Sequence, residues 1–136
     1  MTISAIIKND CRVNDISVST DNSERKLYIP GKENGGGSSV NGGELLFLAL
    51  ATCFCNDLYR EAGRRNIILS SVEVRVSGEF GNEGESASGI VYEVKAHSAA
   101  SDQREVNDLI CYVDTIAEIH NTIRKGVKVF LKQPDN

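Results

Sequence analysis

Between Glu44 and Arg65 the chain reads ELLFLALATCFCNDLYREAGRR, and the first half of this stretch has no polar face. Its spacing predicts one helix of about six turns, opening on Leu45, Leu46, Phe47, Leu48, Ala49, Leu50 and Ala51. A helix that is apolar all round has to be enclosed on every side. A chain of 136 residues has a single core of ordinary size, so covering this helix calls for a second subunit. The second half carries Asp57, Arg60, Glu61, Arg64 and Arg65 and is expected to regain a polar face and emerge into water. Glu44 suits the positive N-terminal end of the helix dipole, and the two terminal arginines suit its negative end.

Around this helix the pattern is one of strands. Ile3, Ile6 and Ile7 predict a first strand, Val13, Ile16 and Val18 a second, and Leu27, Tyr28 and Ile29 a third. The turn residues Asn9-Asp10 and Asp21-Asn22-Ser23 between them imply an antiparallel meander. The segment PGKENGGGSSVNGG, from Pro30 to Gly43, is a long loop for a compact domain and is expected to be mobile or functional. Val72, Val74 and Val76 alternate with polar residues, as do Ile90, Tyr92 and Val94, so a hairpin follows the helix. Ser101 and Glu105 open an amphipathic pattern through Val106, Leu109, Ile110, Val113, Ile116 and Ala117, a capped helix reaching about Arg124. Val127, Val129 and Leu131 predict a closing strand. The order β-β-β-α-β-β-α-β, with strand and helix runs segregated, is that of a single α+β domain over residues 1–136.

Composition narrows the chemistry. A formal charge of −4 leaves no basic footprint, which argues against nucleic acid and anionic membrane as partners. No stretch approaches the roughly 20 apolar residues of a spanning helix, and the N-terminus lacks a basic region followed by a long apolar run, so a cytoplasmic location is expected. In that reducing setting Cys11, Cys53, Cys55 and Cys111 are expected as free thiols. Cys53 and Cys55 form C-x-C rather than C-x-x-C, and His97 and His120 lie in different elements, so no metal site is expected. The glycines of the long loop are not followed by the Lys-Ser/Thr of a phosphate loop, and no cofactor-binding motif is present.

Thiol chemistry is what remains. Two roles are open to Cys53: a small apolar residue filling a helix seam, or a reactive thiol. Cys55 lies about 200° further around the helix, which excludes an intrahelical disulfide and suits packing. Cys111, between Leu109 and Val113, is expected to pack in the core. Cys11, beside Arg12 in a turn, is expected to be exposed, with a resolving role across a subunit interface as its alternative. His120 is expected on the surface of its helix, with a role as a base beside Cys53 as its alternative.

The segment NGGELLFLALATCF, with its ELL start, apolar run and small-small-Cys ending, resembles the OsmC/Ohr family of osmotically induced and organic-hydroperoxide-resistance proteins. The likeness extends to the order of elements and to the closing NTIRKGVKV. It implies an intertwined homodimer around two long central helices, with cysteine sites at the subunit interface. It also implies peroxide reduction: a thiolate attacks the O–O bond and the resulting sulfenic acid is resolved by a second cysteine, while an arginine held by a glutamate activates the thiol. By position Cys53 matches the attacking cysteine, Glu44 the acidic residue of an ELL-type start, and Arg12 lies in the strands that usually supply the arginine. The chain departs from the pattern at Gly42 in place of the motif proline and at Gly43, the glutamate position of the organic-hydroperoxide branch. The family's Cys-Pro-x-Ser-Asn segment reads Ala117-Glu118-Ile119-His120-Asn121, without the second cysteine or its proline. The resemblance therefore implies a peroxidase that needs an external small thiol or lipoyl-type reductant. Its alternative is a non-catalytic dimer that binds a small apolar molecule in an interface pocket.

Overall fold

The computed structural model describes residues 1–134 and divides into two compact units, Met1–Leu45 and Leu46–Asn136. The first is an antiparallel meander, as the alternation and turn residues predict. Strands β1 (Ile3–Asp10), β2 (Val13–Thr20) and β3 (Ser23–Leu27) pair in the order β1-β2-β3, with Ile7 opposite Ile16 and Ile16 opposite Leu27. The third strand ends at Leu27, so Tyr28 and Ile29 lie beyond it. Cys11, at the β1–β2 turn, has a φ of 52°, the left-handed conformation that shapes tight reversals.

The glycine-rich loop is organised. Gly31 and Ser38 form an antiparallel bridge, and the Lys32 amide donates to the Gly37 carbonyl at 2.9 Å. Asn9 ties this small hairpin to β1: its side-chain oxygen accepts from the Gly37 amide at 3.0 Å and its amide donates to the Cys11 carbonyl at 3.1 Å. Gly31 donates its own amide to the Arg12 carbonyl at 3.1 Å, an approach so close that a Cβ at Gly31 would lie 2.2 Å from that oxygen.

Helix α1 runs from Gly42 to Arg64. Asn41 caps it: the Asn41 side chain accepts from the Glu44 amide at 2.8 Å and Glu44 returns a contact to the Asn41 amide at 3.2 Å, a reciprocal capping box. Its apolar first half is only partly covered, with Leu50 buried but Leu48 59% exposed. The second half does regain an exposed polar face, with Arg60, Arg64 and Arg65 at the surface, but Asp57 and Glu61 are not part of it. Phe54, Leu58 and Ala62 form a buried stripe, and Asp57 and Glu61 are buried beside it under Arg60 and Arg64. The carboxylates turn inward and the long arginine stems lie over them, keeping the guanidinium groups near water.

Strands β4 (Ser71–Phe80) and β5 (Ala87–His97) form the expected hairpin, with Val74 opposite Val94 and an irregularity between Ser77 and Glu79. Helix α2 (Gln103–Ile116) starts one residue later than Ser101 would place it, because Asp102 is the cap and accepts from the Arg104 amide at 3.0 Å. The helix expected to reach Arg124 breaks at Ala117, whose ψ of 108° is extended, and resumes as α3 (Glu118–Arg124). Carbonyls freed at the break are taken by side chains: Asn121 donates to Thr115 at 3.1 Å and Arg124 to Asp114 at 2.9 Å. The core of this unit gathers Phe54, Leu58, Ala62, Ile67, Ala96, Val106, Leu109, Val113 and Ala117.

Two expectations are corrected here. Val127, Val129 and Leu131 form no strand among the described residues; Val129 is 95% exposed. Alternating apolar residues need a sheet edge to pair with, and in a single copy this segment has none, leaving its backbone to water. Cys111 is exposed rather than packed in the core, since α2 turns Val106, Leu109 and Val113 inward. A Gly31→Ala variant should lose about 1–3 kcal/mol of stability to the clash with the Arg12 carbonyl, read by urea denaturation; an unchanged midpoint would show that the loop yields freely.

Candidate thiol site

Cys53 sits one turn before Asp57 on α1, each immediately preceding a residue of the buried stripe. The thiol donates to Asp57 Oδ2 at 3.6 Å, and the other Asp57 oxygen accepts from Arg60 at 2.8 Å. Asp57 is 3% exposed, so the pair is held in a largely dry setting while Cys53 itself is half-buried. Across from them lies the break between α2 and α3. There the backbone at Ile119 faces the Cys53 sulfur, and the Glu118 carboxylate, Asp57 and the sulfur lie within 4.8 Å of one another. With Asp57 already neutralised by Arg60, a divalent ion would have to displace both that guanidinium and the thiol proton; the trio reads as a thiol flanked by carboxylates.

The electrostatics follow from these neighbours. Burial pushes the Cys53 thiol up and the Ile119 amide pulls it down, while Asp57 and Glu118 push it further up. Within this unit the thiol therefore sits in a negative field. The sequence-predicted partners of Cys53 belong to the first unit: Glu44 in the capping box of α1, and Arg12 at the β1–β2 turn with its backbone against Gly31.

A second polar cluster escaped the sequence. Asp114 accepts from the Tyr92 hydroxyl and from Arg124 at 2.5 Å. Those two hydrogen bonds hold its carboxyl below the usual range, and burial together with Asp114 pushes the Tyr92 phenol up. Beside it His120 is buried, not on the surface: it is 4% exposed, with its ring edge-on to Tyr92 at 4.7 Å and to Phe54 at 5.7 Å. Neither ring nitrogen has a hydrogen-bond partner among the described residues. Burial first, and Arg124 second, hold the imidazole below its ordinary pKa. His120, Tyr92 and Arg124 line a pocket of about 130 Å³ with Leu50, Ile90 and Ile123. The Cys53–Asp57 pair was open to sequence reasoning, since the two stand at i and i+4; the other cluster joins β5, α2 and α3 and has no such local signal.

The sequence matches the family model for OsmC-like protein over residues 35–132. This chain belongs to the OsmC family. No curated protein matches it. Among solved structures, an OsmC-like protein from Mycoplasma pneumoniae is 20% identical, with 90% of this chain and 86% of that one covered at a TM-score of 0.60. An OsmC-like protein of unknown function from Vibrio cholerae is 15% identical, with coverage of 90% and 93% and a TM-score of 0.62. An organic hydroperoxide resistance protein OsmC from Legionella pneumophila is 22% identical, with coverage of 91% and 90% and a TM-score of 0.56. These likenesses place the chain in the OsmC fold, α+β with two antiparallel sheets and three helices. No helix among the described residues is long and apolar enough to cross a membrane.

His120 gives this OsmC-family chain a predictable acid response. The unfolded imidazole takes its proton near pH 6.5, whereas the folded one resists to lower pH. The unfolded state therefore binds more protons in that window, and stability should fall as pH falls below about 6.5. Denaturation midpoints between pH 7 and 5 should show this loss, and His120→Leu should flatten it; an equal slope in the variant would place the titration elsewhere.

Proposed function

We propose that this OsmC-family chain is a redox protein that reduces organic hydroperoxides at Cys53, using an external thiol to regenerate it. The observation that carries the reading is the placement of Cys53 against the α2–α3 break, where Glu118 and Ile119 meet the sulfur. Ala117, which the resemblance puts at the place of the second cysteine, stands at that break. The Legionella pneumophila relative, described as an organic hydroperoxide resistance protein, supports hydroperoxide as the substrate class. Glu44 and Arg12 are the proposed acidic and basic partners, contributed in a homodimer whose second copy covers the exposed Leu48 and the segment carrying Val129, Phe130 and Leu131.

In the first step the Cys53 sulfur attacks the distal peroxide oxygen and becomes a sulfenic acid while an alcohol leaves. Alanine at 117 cannot trap that sulfenic acid as an intramolecular disulfide. A small thiol or lipoyl-type dithiol therefore completes the cycle. The raised pKa of Cys53 and the pocket beside His120 favour a second reading, in which the chain binds a small apolar molecule without turning it over.

Without added thiol, a stoichiometric hydroperoxide assay should stop after one turnover or carry Cys53 on to sulfinic acid; with a dithiol it should cycle. Cys53→Ser should abolish cycling, while Cys55→Ser and Cys111→Ser should leave it intact. Multiple turnovers in Cys53→Ser would remove Cys53 from the mechanism, and a Cys53 inert to excess peroxide would favour the binding reading. Sedimentation at micromolar concentration should show two subunits; a well-folded monomer would leave the apolar half of α1 unexplained.

A further inference from the structure

We propose that Asp57 is the proton acceptor of the Cys53 reaction, holding the thiol in its protonated form at rest and carrying its proton to the leaving group during attack. The proposal rests on the reading of Cys53 as the oxidised thiol. Its geometry is local to one helix: Asp57 Oδ2 lies 3.6 Å from Sγ, and Arg60 fixes the opposite oxygen at 2.8 Å. The carboxylate is 3% exposed, so it is neither free to rotate away nor replaced readily by water. The groups that face the sulfur are Asp57 on its own helix, with Arg60 behind it, and Glu118 and the Ile119 amide on α3. Among the described residues of the Leu46–Asn136 unit none of these is a cation in contact with the sulfur, so within this unit the neighbours favour the thiol over the thiolate.

A carboxylate is a weak base toward a thiol pushed up by burial and by like charge. Proton transfer is therefore productive only as the O–O bond breaks and a far stronger base, the alkoxide, appears. The Sγ–O bond forms and the O–O bond breaks; sulfur loses two electrons, and the hydroperoxide gains them to become an alcohol. The thiol proton passes to Asp57 Oδ2 and from there to the alkoxide oxygen, leaving the carboxylate ionised and Cys53 as a sulfenic acid. Arg60 keeps Asp57 oriented through both transfers and stands as a positioning residue.

The signature is two changes of opposite sign in Asp57→Asn. Removing a like charge should lower the thiol pKa and raise the alkylation rate of Cys53 by iodoacetamide at pH 7 by about tenfold. Losing the proton acceptor should lower the rate of oxidation by cumene hydroperoxide, normalised to thiolate content, by at least about tenfold. Asp57→Glu should restore part of the oxidation rate. Because the buried substitution threatens folding, the wild-type protein supplies a second reading: oxidation below the thiol pKa should slow by about twofold or more in deuterium oxide. Alkylation and oxidation rising together in Asp57→Asn, or a wild-type isotope effect near one, would overturn the role of Asp57. A wild-type Cys53 that hydroperoxide does not oxidise at all would instead overturn the peroxidase reading on which the proposal rests.

Discussion

The packing of Phe54, Leu58 and Ala62 along α1 sets the rotation of that helix, and the chemistry of the Leu46–Asn136 unit depends on it. The three residues stand four apart and are all but inaccessible, meeting Val106, Leu109, Val113 and Ala117 in one core. Fully burying a large apolar side chain contributes about 1.5–3 kcal/mol, so turning the helix to expose this stripe would cost several kcal/mol, a large share of the roughly 5–15 kcal/mol by which a domain is stable. With the rotation fixed, the residues that precede Phe54 and Leu58 have no choice of direction. Cys53 is carried to the edge of the core and Asp57 into it, one helical turn apart.

A buried carboxylate at that place is tolerated because Arg60 and Arg64 pair with Asp57 and Glu61 from the solvent side. The arrangement satisfies the acids but leaves the thiol with carboxylates as its nearest charges. The family mechanism asks for the opposite, a cation that favours the thiolate. Two physical solutions are open: a cation brought from outside this unit, the part proposed for Arg12, or a carboxylate that moves the proton at the moment of attack. The hydrogen bond from Cys53 to Asp57 provides the means for the second.

Much of the architecture was legible because period and turn chemistry agree. The alternation in β1, β2, β4 and β5 and the apolar run of α1 translate directly into elements. The failures share a cause, which is that each depends on partners distant in sequence. The break at Ala117 has no glycine or proline to announce it and is held by Asn121 and Arg124 reaching back to freed carbonyls. The segment from Val127 to Leu131 has the pattern of a strand, but a strand exists only where an edge receives it. Asp57 and Glu61 look like solvent-facing charges until the rotation of α1 is known, and His120 looks exposed until Phe54 and Tyr92 are brought around it. Of the candidate site, Cys53 was legible from the motif and Asp57 stands at its i+4 position, whereas the burial of Asp57 and the approach of Glu118 depend on tertiary packing.

The most direct measurement is mass spectrometry of the intact wild-type protein after one equivalent of cumene hydroperoxide in the presence of a sulfenic-acid trap, with Cys11, Cys55 and Cys111 as internal controls. The account predicts that the adduct forms on Cys53 ahead of the other three, although two of them are exposed. Labelling that follows exposure, with Cys11 and Cys111 modified first and Cys53 unreacted, would contradict it.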